Sequence, residues 1–383
     1  ITKSIPGEDF VQTPLMIKTD DKIYINIHEA ALIDYPAMYL KVNKQNFVLS
    51  THLCPDAYGN KAYLQTPFKT PWLTLIISDR AEKILESKKI VGQYAAKDYL
   101  QDFNIISQKL LGGLDYEEWI EIYLKLVNWS IELDKHPELG LKETLSDLYR
   151  EANKEFSKFV ERNYPEWLQS LGSTDVPTLS PEIPEKYLFK NLKDENKSVF
   201  YIVIDCLRMD QWLIMEQHLS EYFKIEKDYY YSILPTATPY SRNALFSGLF
   251  PADIEKYYPD LWMSGSEDEN SMNKYEKDLF KLLLDRKRIK LKNEFKYIKI
   301  IDPEVGRNFE QNIYSYKNNQ LTAVVVNFLD MIAHGRSDSD ILKEIAPDEA
   351  AYRSLTNSWF THSSLFASFK ALAKMDKVKL IVT

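Results

Sequence analysis

SVFYIVIDCLRMDQW, residues 198–212, runs from a nearly unbroken apolar stretch straight into a polar, helix-compatible one. A short continuous apolar run is how a strand buried on both faces reads, and such strands belong to parallel sheets covered by helices. Two further runs have the same character: LTAVVVNFL (321–329), and VKLIV (378–382) before Thr383. From about Tyr187 onward such strands alternate with helical patterns, which predicts an α/β domain. Each run delivers a polar residue at its carboxyl end: Asp205, then Asp330 with His334 four residues on, then Thr383. Ligands of open α/β sheets gather beyond the carboxyl ends of the strands, so two carboxylates and a histidine there read as a metal site.

Composition narrows the function classes. The chain has 383 residues, 45% hydrophobic and 27% charged, with a formal net charge of −8. A binder of duplex DNA needs a basic stripe to neutralise phosphates, so sequence-specific DNA binding is not expected. A nucleotide at a local metal site stays compatible, because the ion brings its own positive charge. Cys54 and Cys206 are the only cysteines and lie far apart, which implies no disulfide framework and a reducing, cytoplasmic setting. No apolar run approaches the roughly 18 residues of a membrane span. The chain opens on Ile1 rather than methionine, so its ends are expected to be cut.

The texture changes twice upstream of the α/β part. Residues 13–78 are short apolar alternations broken by turn residues, as in KIYINIHEAAL, AMYLKV, NFVLSTHL and KAYLQTPF, which predicts a partial antiparallel β-sandwich over 1–85. Over 86–172 the period becomes helical. YEEWIEIYLKLVNWSIELD (116–134) carries apolar residues three and four apart, and Leu145, Leu148, Phe156, Phe159 and Trp167 continue the pattern. Three or four helices fit, a small bundle. STDVPTLSPEIP (173–184) reads as a linker, and YYYSIL (229–234) as a strand and core element.

Each site residue has a competing structural role. Asp205 at a strand-to-helix junction is either a ligand or a helix N-cap. After Pro235-Thr236-Ala237-Thr238-Pro239 a helix opens with YSRNALFSGLFP, so a threonine there is either a cap or a group using the helix N-terminus to favour an anion. Asp330 and His334 can meet one divalent ion from a single loop. Arg242 is either a surface charge or a fork suited to phosphate. His28, His52, His136, His218 and His362 have no ligand-spaced partner, and Glu117, Glu118 and Glu121 read as a solvated helix face. The basic run from Arg286 to Lys292 reads as a solvated helix end.

The segments VFYIVIDCLRMDQW, YYSILPTATPYSRNALFSGLFP, VVVNFLDMIAH and AYRSLTNSWF, with the helical stretch EANKEFSKFVERNYPEWL, resemble the PglZ-domain response regulators of the PorX type, in the alkaline phosphatase superfamily. The resemblance covers about 90–383. It implies two zinc ions flanking a Ser or Thr nucleophile, with Asp205 ligating one ion, Asp330 and His334 the other, and Thr238, second in P-T-x-T, as nucleophile. The Asp-His pair that the superfamily places after the strand here ending KLIVT is absent, as is a later histidine, so the resemblance implies a truncated domain with an impaired site. TPLMIKTDDKIYINIHEAALIDYPAM and PDAYGNKAYLQTPFKTPW resemble the end of the amino-terminal β-sandwich of glycoside hydrolase family 97, with Leu73 in place of the arginine after Pro-Trp. That piece alone implies a periplasmic setting, and its catalytic barrel is missing. The join is expected at 84–90.

The sequence therefore predicts a truncated alkaline-phosphatase-like α/β domain at 185–383, behind a helical bundle and a partial sandwich. Its expected activity is zinc-dependent hydrolysis of phosphate esters, chiefly nucleotide phosphodiesters, weakened by the missing ligands. The alternatives are a signalling or scaffold module with a degenerate site, whose bundle serves a homodimer or signalling partner, and a carbohydrate-active fragment.

Overall fold

The computed structural model describes residues 38–42, 45–49, 53–55, 62–64, 97–136, 140–262 and 273–383. The chain divides into two compact units, Ile1–Gln101 and Asp102–Thr383. In the first, strands β1 (Met38–Val42) and β2 (Gln45–Leu49) pair antiparallel, as do β3 (Leu53–Pro55) and β4 (Ala62–Leu64). They fall in three of the alternating segments, AMYLKV, NFVLSTHL and KAYLQTPF. The rest of the expected sandwich, with His28, His52, Leu73 and the expected join, lies outside the described residues.

The second unit opens with helices. From Asp102 to residue 110 the chain is helical, followed by α1 (Tyr116–Lys135) and α2 (Lys142–Gln169). Asp115 starts α1 by accepting from the amides of Glu117 and Glu118 in a capping box, which satisfies donors the helix cannot. Trp119, Phe156, Phe159 and Trp167 pack into one aromatic cluster that Tyr231 joins, its ring centroid 5.1 Å from that of Trp167.

The linker expectation at 173–184 needs correcting in its second half. Leu179, Ser180 and Ile183 are buried, and Ile183 belongs to the core. Proline and serine marked the local turns, but the apolar residues between them are what fold the segment down. YYYSIL is also not a strand. Its amides are satisfied singly, Tyr231 by the Thr178 carbonyl, Ile233 by Ser180 Oγ and Leu234 by the Tyr164 hydroxyl, and one isolated bridge joins Tyr231 to Leu179.

The core is a four-stranded, wholly parallel sheet in the order β6-β7-β5-β8: Lys296–Ile300, Leu321–Val326, Ser198–Ile204 and Val378–Val382. Along β5 the side chains alternate between two hydrophobic cores. Val199, Tyr201 and Val203 pack with Leu245, Phe246, Phe280 and Leu283, while Phe200, Ile202 and Ile204 pack with Met215, Leu219, Phe360 and Phe369. The first layer comes from α4 (Thr238–Ser247) and α5 (Glu276–Arg286). The second comes from α3 (Met209–Leu219), α6 (Pro303–Gln311), α8 (Glu349–His362) and α9 (Ser364–Ala373). Helix α7 (Phe328–Asp338) follows β7 directly. Every residue of β5 and β7 is buried, which is why both read as unbroken apolar runs. Among the described residues no helix is long and apolar enough to cross a membrane.

Candidate metal centre

Because the sheet is parallel, all carboxyl ends of its strands share one edge, and β5 is the strand from which the order departs in both directions. Asp205 is the first residue beyond β5. Its amide still donates to the Val326 carbonyl at 2.9 Å, so the side chain starts from the middle of the sheet edge. It is not a helix cap, since α3 opens later, with Arg208 in the N-cap position. Between them the chain turns at Cys206, which has a positive φ of 58°, closed by the Leu207 amide on the Ile204 carbonyl at 3.3 Å. A residue without glycine's freedom in that region is uncommon and concentrates at functional sites.

Asp330 arrives from the neighbouring strand, by a different element than expected. β7 ends at Val326, Asn327 holds the N-cap position, and Asp330 and His334 lie on α7 rather than on a loop. The apolar run continues across the strand-to-helix junction, so hydrophobicity alone could not mark where the strand stops. In the first turn the helix dipole favours the Asp330 carboxylate. Phe328, at the start of α7, is stacked on Trp359 with centroids 4.2 Å apart and planes 5° from parallel.

One ligand atom each from Asp205, Cys206 and Asp330 lies within 4.8 Å of the others, and the Cys206 thiol donates to Asp330 Oδ1 at 3.2 Å. Ligand atoms around one tetrahedral zinc, at bond lengths of about 2.0–2.3 Å, lie roughly 3.3–3.8 Å apart, so small rotations of these side chains would bring the three atoms onto one ion. His334 Nε2 is 3.5 Å from Asp330 Oδ1 on an exposed ring, at the rim of the set. The separation of Cys54 and Cys206 excludes a disulfide framework but does not mark Cys206 as a ligand. Its place directly after the strand-terminal Asp205 was the signal.

Thr238 opens α4, whose N-cap position is held by Ala237. The threonine hydroxyl caps nothing and donates instead to Asp205 Oδ1 at 3.5 Å. Asp205, Thr238 and Asp330 thus come together on the sheet edge. Arg242, one turn on, is 2% exposed and faces inward. Its Nη1 donates to Asp205 Oδ2, while Nε and Nη2 grip the two oxygens of Glu276. Glu276, the first residue of α5, is fully buried and also accepts from the Tyr297 hydroxyl at 2.7 Å. Arg242 therefore meets carboxylates on two sides, and nothing near it in sequence announces Glu276.

The electrostatics follow from burial. Desolvation pushes the Asp205 carboxyl above the usual carboxylate range despite Arg242, and the Asp330 charge adds to the rise. Burial and the hydrogen bond to Asp330 push the Cys206 thiol up to about 12. Two carboxylates and a thiol crowded together, with the one guanidinium beside them shared with Glu276, make a donor set short of positive charge. A divalent cation supplies what is lacking, and the oxygen, sulfur and nitrogen donors fit one.

His218 and His362 have structural roles. His218 Nε2 pairs with Asn357 Oδ1 at 2.7 Å among aromatic rings, and His362 Nδ1 sits 2.8 Å from the Ser358 carbonyl at the end of α8.

Comparison with known families gives three matches. Residues 183–383 match the family described as the BREX system PglZ alkaline phosphatase-like domain, residues 89–168 the PorX response regulator linker domain, and residues 2–92 the glycosyl-hydrolase 97 N-terminal domain. Both resemblances drawn from the sequence are therefore present at the stated regions, the first of them as two adjacent matches.

Proposed function

The chain belongs to the PglZ alkaline phosphatase-like family, whose match covers more than half of its residues, and on that premise we propose that it is a metal-dependent phosphoesterase acting on phosphodiesters of the nucleotide type. The observation that carries this reading is the meeting of Asp205, Cys206 and Asp330 beside the Thr238 hydroxyl at a helix N-terminus. Asp205, Asp330 and Cys206, with His334 at the rim, would hold the cation, and the sulfur favours zinc. When bound, the cation supplies Lewis-acid charge that makes the nucleophile more acidic and steadies the transition state.

The chain's own groups do the rest. The amides opening α4 receive a phosphate oxygen and orient the ester in line with Thr238 Oγ. The hydroxyl proton is directed at Asp205 Oδ1. The Thr238 Oγ–P bond forms as the bond from phosphorus to the departing alkoxide breaks, and the alkoxide takes up the proton passed to Asp205. Water then cleaves the Thr238 Oγ–P bond, releasing the phosphomonoester and restoring the hydroxyl. Four donors among the described residues fall short of the three protein ligands that each catalytic zinc ordinarily takes in a two-ion site. Turnover should therefore lie below the roughly 1–10³ s⁻¹ usual for enzymes. The match to the PorX linker domain supports a signalling setting, in which a degenerate centre would act as a scaffold.

Hydrolysis of bis-p-nitrophenyl phosphate with and without zinc tests the proposal. Slow turnover that a chelator removes, zinc restores and Thr238→Ala abolishes is the expected result. Activity indifferent to chelation would remove the metal, and activity surviving in Thr238→Ala would remove the nucleophile. No zinc-dependent turnover at all would leave the scaffold.

A further inference from the structure

Resting on the metal-centre reading above, we propose that Glu276 and Arg242 are a positioning pair which fixes Asp205 for the cation, and that Arg242 is not a clamp for the substrate's phosphate. Arg242 and Glu276 are 2% and 0% exposed, and their contact is bidentate, Nε to Oε1 and Nη2 to Oε2. Two parallel bonds fix the plane of a guanidinium as one bond cannot. With that plane set, Nη1 takes hold of Asp205 Oδ2, and Asn327 Oδ1 lies 3.5 Å from the same nitrogen. One Asp205 oxygen is thereby tied inward, and the other, Oδ1, is the atom that Thr238 reaches.

A second layer holds Glu276. The Tyr297 hydroxyl, from the edge strand β6, donates to its Oε2 at 2.7 Å, so the arrangement runs from β6 through α5 and α4 to the tip of β5. It ties together four elements that meet at the site. Three of the five guanidinium N–H groups are taken by carboxylates, Nη1 also faces Asn327 Oδ1 at 3.5 Å, and with Arg242 2% exposed the remaining N–H groups are closed off from a phosphate in solvent. Two buried carboxylates around one arginine are poor value as stability alone, because desolving such groups offsets most of what their attraction returns. Orienting a ligand is the function that accounts for them.

The pair has a definite electrostatic consequence. Neutralising Glu276 leaves the arginine charge beside Asp205 uncompensated, which opposes a cation and draws Asp205 inward. Removing the fork while keeping the charge lets Asp205 turn. Both should weaken cation binding without touching a ligand.

The test uses the full chain and Co²⁺ alone, read by its visible absorption and by titration calorimetry. Glu276→Gln should weaken Co²⁺ binding about tenfold and alter the absorption spectrum, while far-UV circular dichroism stays that of the parent. Arg242→Lys should do likewise. A purely structural pair would lower the thermal midpoint and leave the affinity and spectrum of the folded protein unchanged, and that result overturns the inference. If Glu276→Gln does not fold, Tyr297→Phe carries the test: a two- to threefold loss of affinity supports the inference, and parental affinity overturns it. Arg242→Lys that keeps its Co²⁺ affinity but loses binding of inorganic phosphate would return Arg242 to the role of clamp. A parent chain that takes up no Co²⁺ removes the metal centre itself, an outcome distinct from unchanged affinity in the variants.

Discussion

Cys206 is exposed as a residue, yet its thiol is held well above the usual thiol range. Burial of the sulfur, the hydrogen bond to Asp330 and the charges of Asp330 and Asp205 raise it to about 12, and Arg242 relieves this only in part. The thiolate is the reactive form. In chelator-treated protein, alkylation of Cys206 by iodoacetamide should therefore be slow at pH 8, and its rate should climb as pH rises through 10 and 11. A rate like that of a free thiol, levelling off near pH 9, would contradict the crowding of negative charge at the sheet edge. Asp205 and Asp330 were legible in the sequence as polar residues closing buried apolar runs, and Thr238 stood out from Thr236 only through the family resemblance. The sequence could not show Glu276, 34 residues beyond Arg242, since the pairing exists only once α4 and α5 lie side by side on one face of the sheet.

At the scale of elements, β5 and β7 are readable because strands buried between two helical layers leave no alternation to misjudge, and β8, only partly buried, is readable from its short apolar run. The ends of elements were harder. VVVNFLD stays apolar across the switch from strand to helix, so Asp330 was expected at a strand tip and proves to lie in the first turn of α7. YYYSIL has the composition of a strand but spends its amides on scattered partners. One element end is fixed by glycine alone. α4 stops at Gly248, whose φ of +62° is left-handed and where an added Cβ would sit 2.8 Å from Leu283 Cδ1. Gly248→Ala should therefore combine backbone strain with a clash against α5 and cost about 1–3 kcal/mol. Urea denaturation measures this, and a loss below about 0.5 kcal/mol would mean that α5 yields freely.

Across the Asp102–Thr383 unit, one arginine joins the helical region to the sheet. Arg353 of α8 is 6% exposed and bonds Asp134 of α1 through Nε and Nη2, and Asp210 of α3 through Nη1 at 2.9 Å. Burial works against the charge on Asp210, but hydrogen bonds and charge from Arg208 and Arg353 outweigh it and hold the carboxyl below its usual range. A depressed carboxyl gives stability that is complete above its unfolded value, near 3.9, and is lost as pH falls through the lower folded value. Unfolding free energy should accordingly drop below about pH 4. Arg353→Leu should cost about 3 kcal/mol at pH 7 and flatten that acid slope. An unchanged slope in the variant would show that Asp210 does not report on this junction.

The face-to-face stack of Phe328 on Trp359 has an optical consequence. Phe328 begins the helix that carries Asp330 two residues later, so an indole lies one ring away from the element bearing a proposed ligand. Any small reseating of that helix as a cation is taken up changes the overlap and surroundings of the indole, and with them its emission. The chain therefore carries its own lamp for the metal centre. A titration followed by intrinsic fluorescence, with Trp359→Phe as the dark control, reads the occupancy of the site with no substrate and no added dye.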